Sequence, residues 1–150
     1  MKILVMGLPG SGKTWLASRI SKKFKIPHWD ADVVRTVYQD WRFDVNGREH
    51  QALRMRKLAE LEPISICSFI CPLPGLITYF WPDKIIWMDT IQESEHADTD
   101  KMFQPPQNPS VRITKWIDEN QLFNSLDGIN LGTGDIPSFL DELILRLGKL

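Results

Sequence analysis

A chain of 150 residues, 43% hydrophobic and 25% charged, has the size and balance of one globular domain, which excludes fibrous and disordered classes. Lys and Arg number 18 against 19 Asp and Glu, a formal charge of −1, so a broad basic surface for long nucleic acid is not expected and any anionic ligand must be captured locally. The apolar stretches fall short of the roughly 20 residues a membrane span needs, no cleavage site follows Met1–Gly7, and Cys67 and Cys71 have no His or Cys partners at metal spacing. The expectation is a cytoplasmic protein with no membrane contact and two free thiols.

The run Met1–Met6, bounded by Gly7, suits a strand buried on both faces of a parallel sheet. Leu16, Ala17, Ile20 and Phe24 recur at helical spacing, so the chain begins strand, glycine loop, helix. An extended piece at Ile26–Trp29 leads to a short helix over Asp32–Gln39. Asn46 with Glu49 three residues on resembles a capping box, and Ala52, Met55, Leu58, Ala59 and Glu62 mark a helix that Pro63 ends. Ile64–Ile70 reads as a buried strand stopped by Pro72, Pro74 and Gly75, and Lys84–Met88 as another. Between residues 90 and 112, three prolines and no apolar period make a segment too long for an ordinary connection, as in a lid or binding loop. A short helix after Thr114, an extended Gly128–Leu131 and an amphipathic helix over Pro137–Leu147 complete the chain. Alternating strands and helices imply a three-layer α/β/α fold with a mainly parallel, five-stranded sheet.

Gly7-Leu8-Pro9-Gly10-Ser11-Gly12-Lys13-Thr14 matches G-x-x-x-x-G-K-[ST] in full and lies between a predicted strand and a predicted helix, as that phosphate-binding motif requires. The glycines let the backbone wrap phosphate oxygens with inward N–H groups, and the helix beginning near Gly12 adds the positive end of its dipole. Lys13 would reach the β and γ phosphates of ATP. Thr14 would give its hydroxyl to Mg²⁺. The motif alone does not choose between a kinase, a GTPase and a mechanical ATPase. No Asn-Lys-x-Asp guanine signature is present and no Asp ends the Ile64–Ile70 strand, which weakens the last two readings. Asp30-Ala31-Asp32-Val33-Val34-Arg35 sets two carboxylates and an Arg beside the expected mouth of the loop, suited to accepting a hydroxyl proton and gripping an anion. Asp30 fits a helix N-cap equally well.

From Met1 to about Phe103 the sequence resembles the adenylylsulfate kinase (APS kinase) family of P-loop kinases. The resemblance rests on the phosphate loop, Asp30-Ala31-Asp32-Val33-Val34-Arg35, Arg42-Phe43-Asp44-Val45-Asn46-Gly47-Arg48-Glu49-His50-Gln51, Phe69-Ile70-Cys71-Pro72 and Trp87-Met88-Asp89-Thr90, in the family's order and spacing. It implies transfer of the γ-phosphoryl group of ATP to the 3′-hydroxyl of adenylylsulfate, a step of sulfate assimilation. Asp32 would handle the hydroxyl, Arg35 and Arg48 the anion, and Phe43 the adenine, with Gln51, Ile70 and Lys101 completing the substrate contacts. Homodimers are usual in the family. The chain departs from the pattern at Cys71, where the family has Ser, in the lack of basic residues over Leu73–Tyr79, and at Lys101, one place along from the family's lid lysine. A kinase of the same fold for another hydroxyl acceptor, such as a nucleoside, a sugar acid or a nucleic-acid end, and a non-catalytic nucleotide-binding module are the competing readings.

Arg54 and Arg56 read as a solvated helix face, and His28, His50 and His96 share no metal spacing. Of six tryptophans, Trp15 would pack on the sheet, while Trp41 and Trp81 are candidates to flank a nucleotide or fill the core. Asp89 ends a strand, where it serves either the waters of a metal ion or a turn.

Overall fold

Ile3, Leu4, Val5 and Met6 are all fully buried because β1 (Lys2–Met6) runs through the centre of a sheet covered on both faces. The computed structural model describes residues 1–132 and 134–150, and among these are five strands and seven helices. The sheet order is β2 (His28–Asp30), β3 (Ser65–Ser68), β1, β4 (Lys84–Met88), β5 (Val111–Ile113), with every pairing parallel. Alternate residues of β1, β3 and β4 feed two cores. On one face Ile3, Val5, Ile66, Ile86 and Met88 pack under α1 (Lys13–Phe24), α6 (Glu119–Leu126) and α7 (Ile136–Leu147). On the other, Leu4, Met6, Cys67 and Trp87 pack under α2 (Ala31–Tyr38), α3 (Val45–Ala59) and α4 (Pro74–Phe80). The expected three-layer α/β/α arrangement with five parallel strands is the observed one.

Several boundaries and elements differ from expectation. The fifth strand is Val111–Ile113, not Gly128–Leu131, where no strand forms. Three residues in a buried–exposed–buried order are too short to show a period beside three prolines, whereas Ile129 and Leu131 are apolar because they pack on the core from a loop. Pro74 and Gly75 do more than stop a strand: they open α4, and proline's missing N–H has no intrahelical role in a first turn. The chain leaves β3 at Ser68, two residues before Ile70, and Cys71 adopts a left-handed φ of 49°. The N-cap of α3 is Asp44, whose carboxylate accepts from Gly47 N at 2.7 Å, so Asn46 and Glu49 form no capping box. Gly47 is required there, because a Cβ would lie 2.4 Å from Arg42 Cβ and 2.5 Å from its carbonyl oxygen. That helix ends at Ala59, four residues before Pro63. The segment 90–112 is not wholly irregular, since it holds α5 (Ala97–Met102) and the start of β5. Both cysteines are unpaired and buried, and burial pushes the Cys67 thiol up to about 12. Among the described residues no helix is long and apolar enough to cross a membrane.

Candidate active site

The turn from β1 into α1 stands at the carboxyl end of the central strand, flanked by β3 and β4, the place where parallel α/β sheets open a ligand crevice. A cavity of about 440 Å³ opens there, lined on the donor side by Pro9, Gly10, Gly12, Lys13, Thr14, Trp15 and Trp116. Gly7, Leu8 and Ser11 form the underside of the loop and do not line the cavity. A Cβ on Gly7 would sit 2.5 Å from the Met88 carbonyl oxygen, so the close passage of the loop over β4 depends on glycine. Gly12 has φ 96° and lies under the Trp116 ring, which a Cβ would approach to 2.9 Å. The first-turn amides of α1 have no intrahelical acceptor and are available to an anion.

Lys13 Nζ donates to the Leu8 carbonyl at 2.7 Å, closing the loop on itself. Burial lowers its pKa from 10.5 to about 8 against the opposing pull of Asp32 and then Asp30. A desolvated cation at a helix N-terminus gains most from a polyanion. Asp30 serves two purposes at once: Oδ1 caps α2 by accepting from Asp32 N at 2.8 Å, and Oδ2 accepts from Thr14 Oγ1 at 2.9 Å. The capping and chemical readings of Asp30 are therefore compatible. Asp32 lies in the first turn of α2, exposed and lining the cavity, and its carboxylate has no hydrogen-bond donor among the described residues.

The opposite wall is built from side chains. Arg35 is buried, and its Nη1 donates to the carbonyls of Asp40 and Arg42, each at 3.0 Å. Arg48, also buried, donates from Nε to the Phe43 carbonyl at 2.8 Å and from Nη2 to Thr99 Oγ1 at 3.0 Å. Both guanidiniums approach the Phe43 ring, at 4.4 and 5.4 Å from its centroid. Burial lowers both arginine pKa values, and the Arg48 charge lowers that of Arg35 further. Neither has a carboxylate salt-bridge partner among the described residues, so the wall holds two desolvated positive charges with spare donors. Gln51 ties α3 to α2 through its amide, which donates to the Ala31 carbonyl at 3.2 Å. Phe69, Ile70, Cys71, Pro72 and Leu76 form an apolar side.

No family model matches the chain. Among solved structures it resembles the APS kinase CysC of Mycobacterium tuberculosis in complex with AMPPNP and APS, with a TM-score of 0.61 and 20% identity over 78% of this chain and 89% of that one. A sugar kinase from a Janibacter species gives 0.61 and 13% over 97% and 96%, and a gluconokinase from Sinorhizobium meliloti 0.59 and 10% over 99% and 91%. The fold is that of the P-loop kinases. These proteins carry different acceptor names on one architecture, so the likeness speaks to the scaffold and the local chemistry must supply the rest.

The cavity brings together Pro9, Gly10, Gly12, Lys13, Thr14, Asp32, Arg35, Phe43, Arg48, Gln51 and Ile70 from four separate stretches of sequence. Lys101 stays outside it, exposed on α5, whose buried Thr99 faces Arg48 instead. Trp41 and Trp81 are likewise exposed and absent from the lining; Trp81 lies under the Arg56 guanidinium at 5.0 Å. The tryptophans at the cavity are Trp15, carrying Arg19 at 4.3 Å on its ring, and Trp116, which is 59% exposed. Arg54 is not solvated: it pairs with Asp40 at 3.1 Å and stacks on Tyr38. Asp89 is taken up by Arg112, whose Nε donates to it at 2.9 Å. Ser68 ends β3 in place of a carboxylate, shares a hydrogen bond with His28 Nε2 at 2.7 Å, and lines the cavity. Ser68 and Trp116 carry no local sequence signal; only the register of β3 with β2 and the return of the chain after β5 place them.

Proposed function

We propose that the protein is an ATP-dependent kinase that transfers the γ-phosphoryl group to a hydroxyl of a small anionic acceptor, adenylylsulfate or a closely related nucleotide. The observation that carries this reading is a single cavity with a phosphate loop on one wall, two buried arginines without carboxylate partners on the other, and the unengaged Asp32 carboxylate near Lys13. In this reading the amides of the loop and Lys13 bind the triphosphate, and Arg35 and Arg48 bind the acceptor's anion. Asp32 orients the acceptor hydroxyl and takes its proton as the oxygen attacks phosphorus. Trp15 and Trp116 supply apolar surface for the donor base, and Phe43 and Ile70 for the acceptor body. Catalysis then comes mainly from positioning and charge neutralisation. The Thr14 hydroxyl and the Asp30 carboxylate, 2.9 Å apart at the cavity, fit Mg²⁺, which takes few protein oxygens and keeps most of its waters. When bound, Mg²⁺ would neutralise phosphate charge. A lid role for residues 90–112, a single-domain organisation and a cytoplasmic setting belong to the same proposal.

A sugar-acid acceptor is the second reading. It is favoured by the near-complete overlap with the sugar kinase and gluconokinase structures, and an arginine pair holds a carboxylate as well as a sulfate. An ATP-consumption assay across adenylylsulfate, nucleosides and sugar acids, with product analysis for the phosphorylated position, decides between them. Stimulation by adenylylsulfate with a 3′-phosphorylated product is the expected result. Stimulation by a sugar acid alone selects the second reading, and ATP binding without stimulation by any acceptor overturns both in favour of a nucleotide-binding module.

A further inference from the structure

Among the described residues, the stretch 91–109 makes two hydrogen bonds to the rest of the protein, and both end on residues that line the cavity. Gln104 N donates to the Pro72 carbonyl at 2.7 Å, and Arg48 Nη2 donates to Thr99 Oγ1 at 3.0 Å. Thr99 is the buried residue of α5, 7% exposed, and Arg48 is equally buried. Within this stretch Ser94 N and Oγ donate to Asp100, and Phe103 N donates to the Thr99 carbonyl. Among the described residues the Arg48 guanidinium has one other hydrogen bond, Nε to the Phe43 carbonyl, and a planar guanidinium hydrogen-bonded at one nitrogen can swing about that bond.

We propose that Thr99 is a positioning residue for the acceptor. Its hydroxyl fixes the second edge of the Arg48 guanidinium, so that an anion bound by Arg48 is sensed by α5 and the position of α5 in turn sets the aim of Arg48. This rests on the reading of Arg48 as an anion ligand. The arrangement gives the 90–112 segment a chemical link to acceptor occupancy, since ordering of the guanidinium by an anion and ordering of α5 by Thr99 favour each other.

The test compares Thr99→Val, which keeps the branched shape and removes the hydroxyl, with Thr99→Ser, which keeps the hydroxyl. Thr99→Val is expected to raise the acceptor KM about tenfold, the order expected for a lost hydrogen bond to a buried charge, with kcat and the ATP KM within about twofold; Thr99→Ser stays close to wild type. An unchanged acceptor KM in Thr99→Val, or equal damage in both variants, overturns the proposal. A second measurement needs no turnover: amide hydrogen exchange of residues 96–103 with inorganic sulfate as the probe. Sulfate should slow that exchange in wild type and Thr99→Ser but not in Thr99→Val or Arg48→Ala. If no acceptor is phosphorylated the kinase reading fails separately, and the link stands or falls on the exchange result, with no sulfate effect in wild type overturning it.

Discussion

The two walls of the cavity are built by different means. In the proposed reading the phosphates are met mainly by backbone: the loop Gly7–Thr14 turns at the end of β1, Pro9, Gly10, Gly12, Lys13 and Thr14 of it line the cavity, and the close approaches at Gly7 and Gly12 fix where its amides lie. The acceptor wall is side chain: Asp32 and Arg35 come from α2, Phe43 from the connecting turn, Arg48 and Gln51 from α3, and each arginine is aimed by carbonyl oxygens. A wall of amides suits the phosphates that all nucleoside triphosphates share. A side-chain wall can be retuned one residue at a time, which is how one scaffold comes to carry kinases named for chemically different acceptors.

The sharpest way to break this contrast is at the donor wall. Lys13→Ala should lower turnover by about 10²–10³-fold or more, the order seen when one charge-stabilising donor is removed. Its melting temperature should not fall, because the chain no longer buries a partly desolvated cation. Near wild-type turnover would remove Lys13 from the chemistry. Asp32→Asn should cut kcat by about 10²-fold, the lower range for loss of a general base, while nucleotide affinity by calorimetry stays within about twofold. An equal loss of both would make Asp32 a ligand for the donor rather than for the hydroxyl.

On the other wall, Arg35→Ala and Arg48→Ala should each raise the acceptor KM by about 10- to 100-fold, as for a lost hydrogen bond to a buried charged group, and leave the ATP KM within about threefold. If ATP affinity fell as far, the two walls would not be separate sites. The pH dependence of nucleotide binding separates them again. Lys13 must be charged to meet a phosphate, its pKa in the free protein is about 8, and a bound polyanion raises it. Binding above about pH 8 therefore takes up one proton, and affinity should fall by about tenfold per pH unit there and be flat below. Lys13→Arg should abolish the slope. A slope in wild type that survives in this variant assigns the proton to another group.

The same contrast explains what could be read in advance. The donor wall is contiguous, so its motif appears whole in Gly7–Thr14 between a strand and a helix, and Pro9, Gly10, Gly12, Lys13 and Thr14 of it line the cavity while Gly7, Leu8 and Ser11 lie beneath. Three of the five parallel strands, β1, β3 and β4, follow from apolar runs long enough to show burial on both faces; β2 is a half-buried His-Trp-Asp read only as an extended piece, and the three residues of β5 alternate just after a Pro-rich stretch. On the acceptor wall the order of Asp32, Arg35, Phe43, Arg48, Gln51 and Ile70 is legible, but what each side chain touches is not. Arg54 reads as solvated until Asp40 and Tyr38 close over it, and in the 90–112 segment it is the neutral Thr99, not the charged Lys101 two residues on, that meets Arg48. Ser68 and Trp116 reach the cavity through strand register and chain return, which no local pattern encodes.

The smallest expected effect bears on the contrast most directly. Gly75 lies in the first turn of α4, beside the apolar side of the acceptor wall, and a Cβ there would meet nothing within 4 Å. Its φ is not in the left-handed region, so alanine fits the native backbone while restricting the unfolded chain. Gly75→Ala should stabilise by about 0.4–1 kcal/mol in denaturant unfolding and leave both KM values unchanged. Gly47→Ala, on the same wall, is its counterpart: the added methyl meets Arg42 backbone, so stability should fall by about 1–3 kcal/mol. The pair isolates backbone space from side-chain recognition, because neither glycine presents an amide of the phosphate loop. If Gly75→Ala raised the acceptor KM severalfold without loss of stability, the acceptor would be reading the α4 backbone, and the division between a backbone wall and a side-chain wall would have to be abandoned.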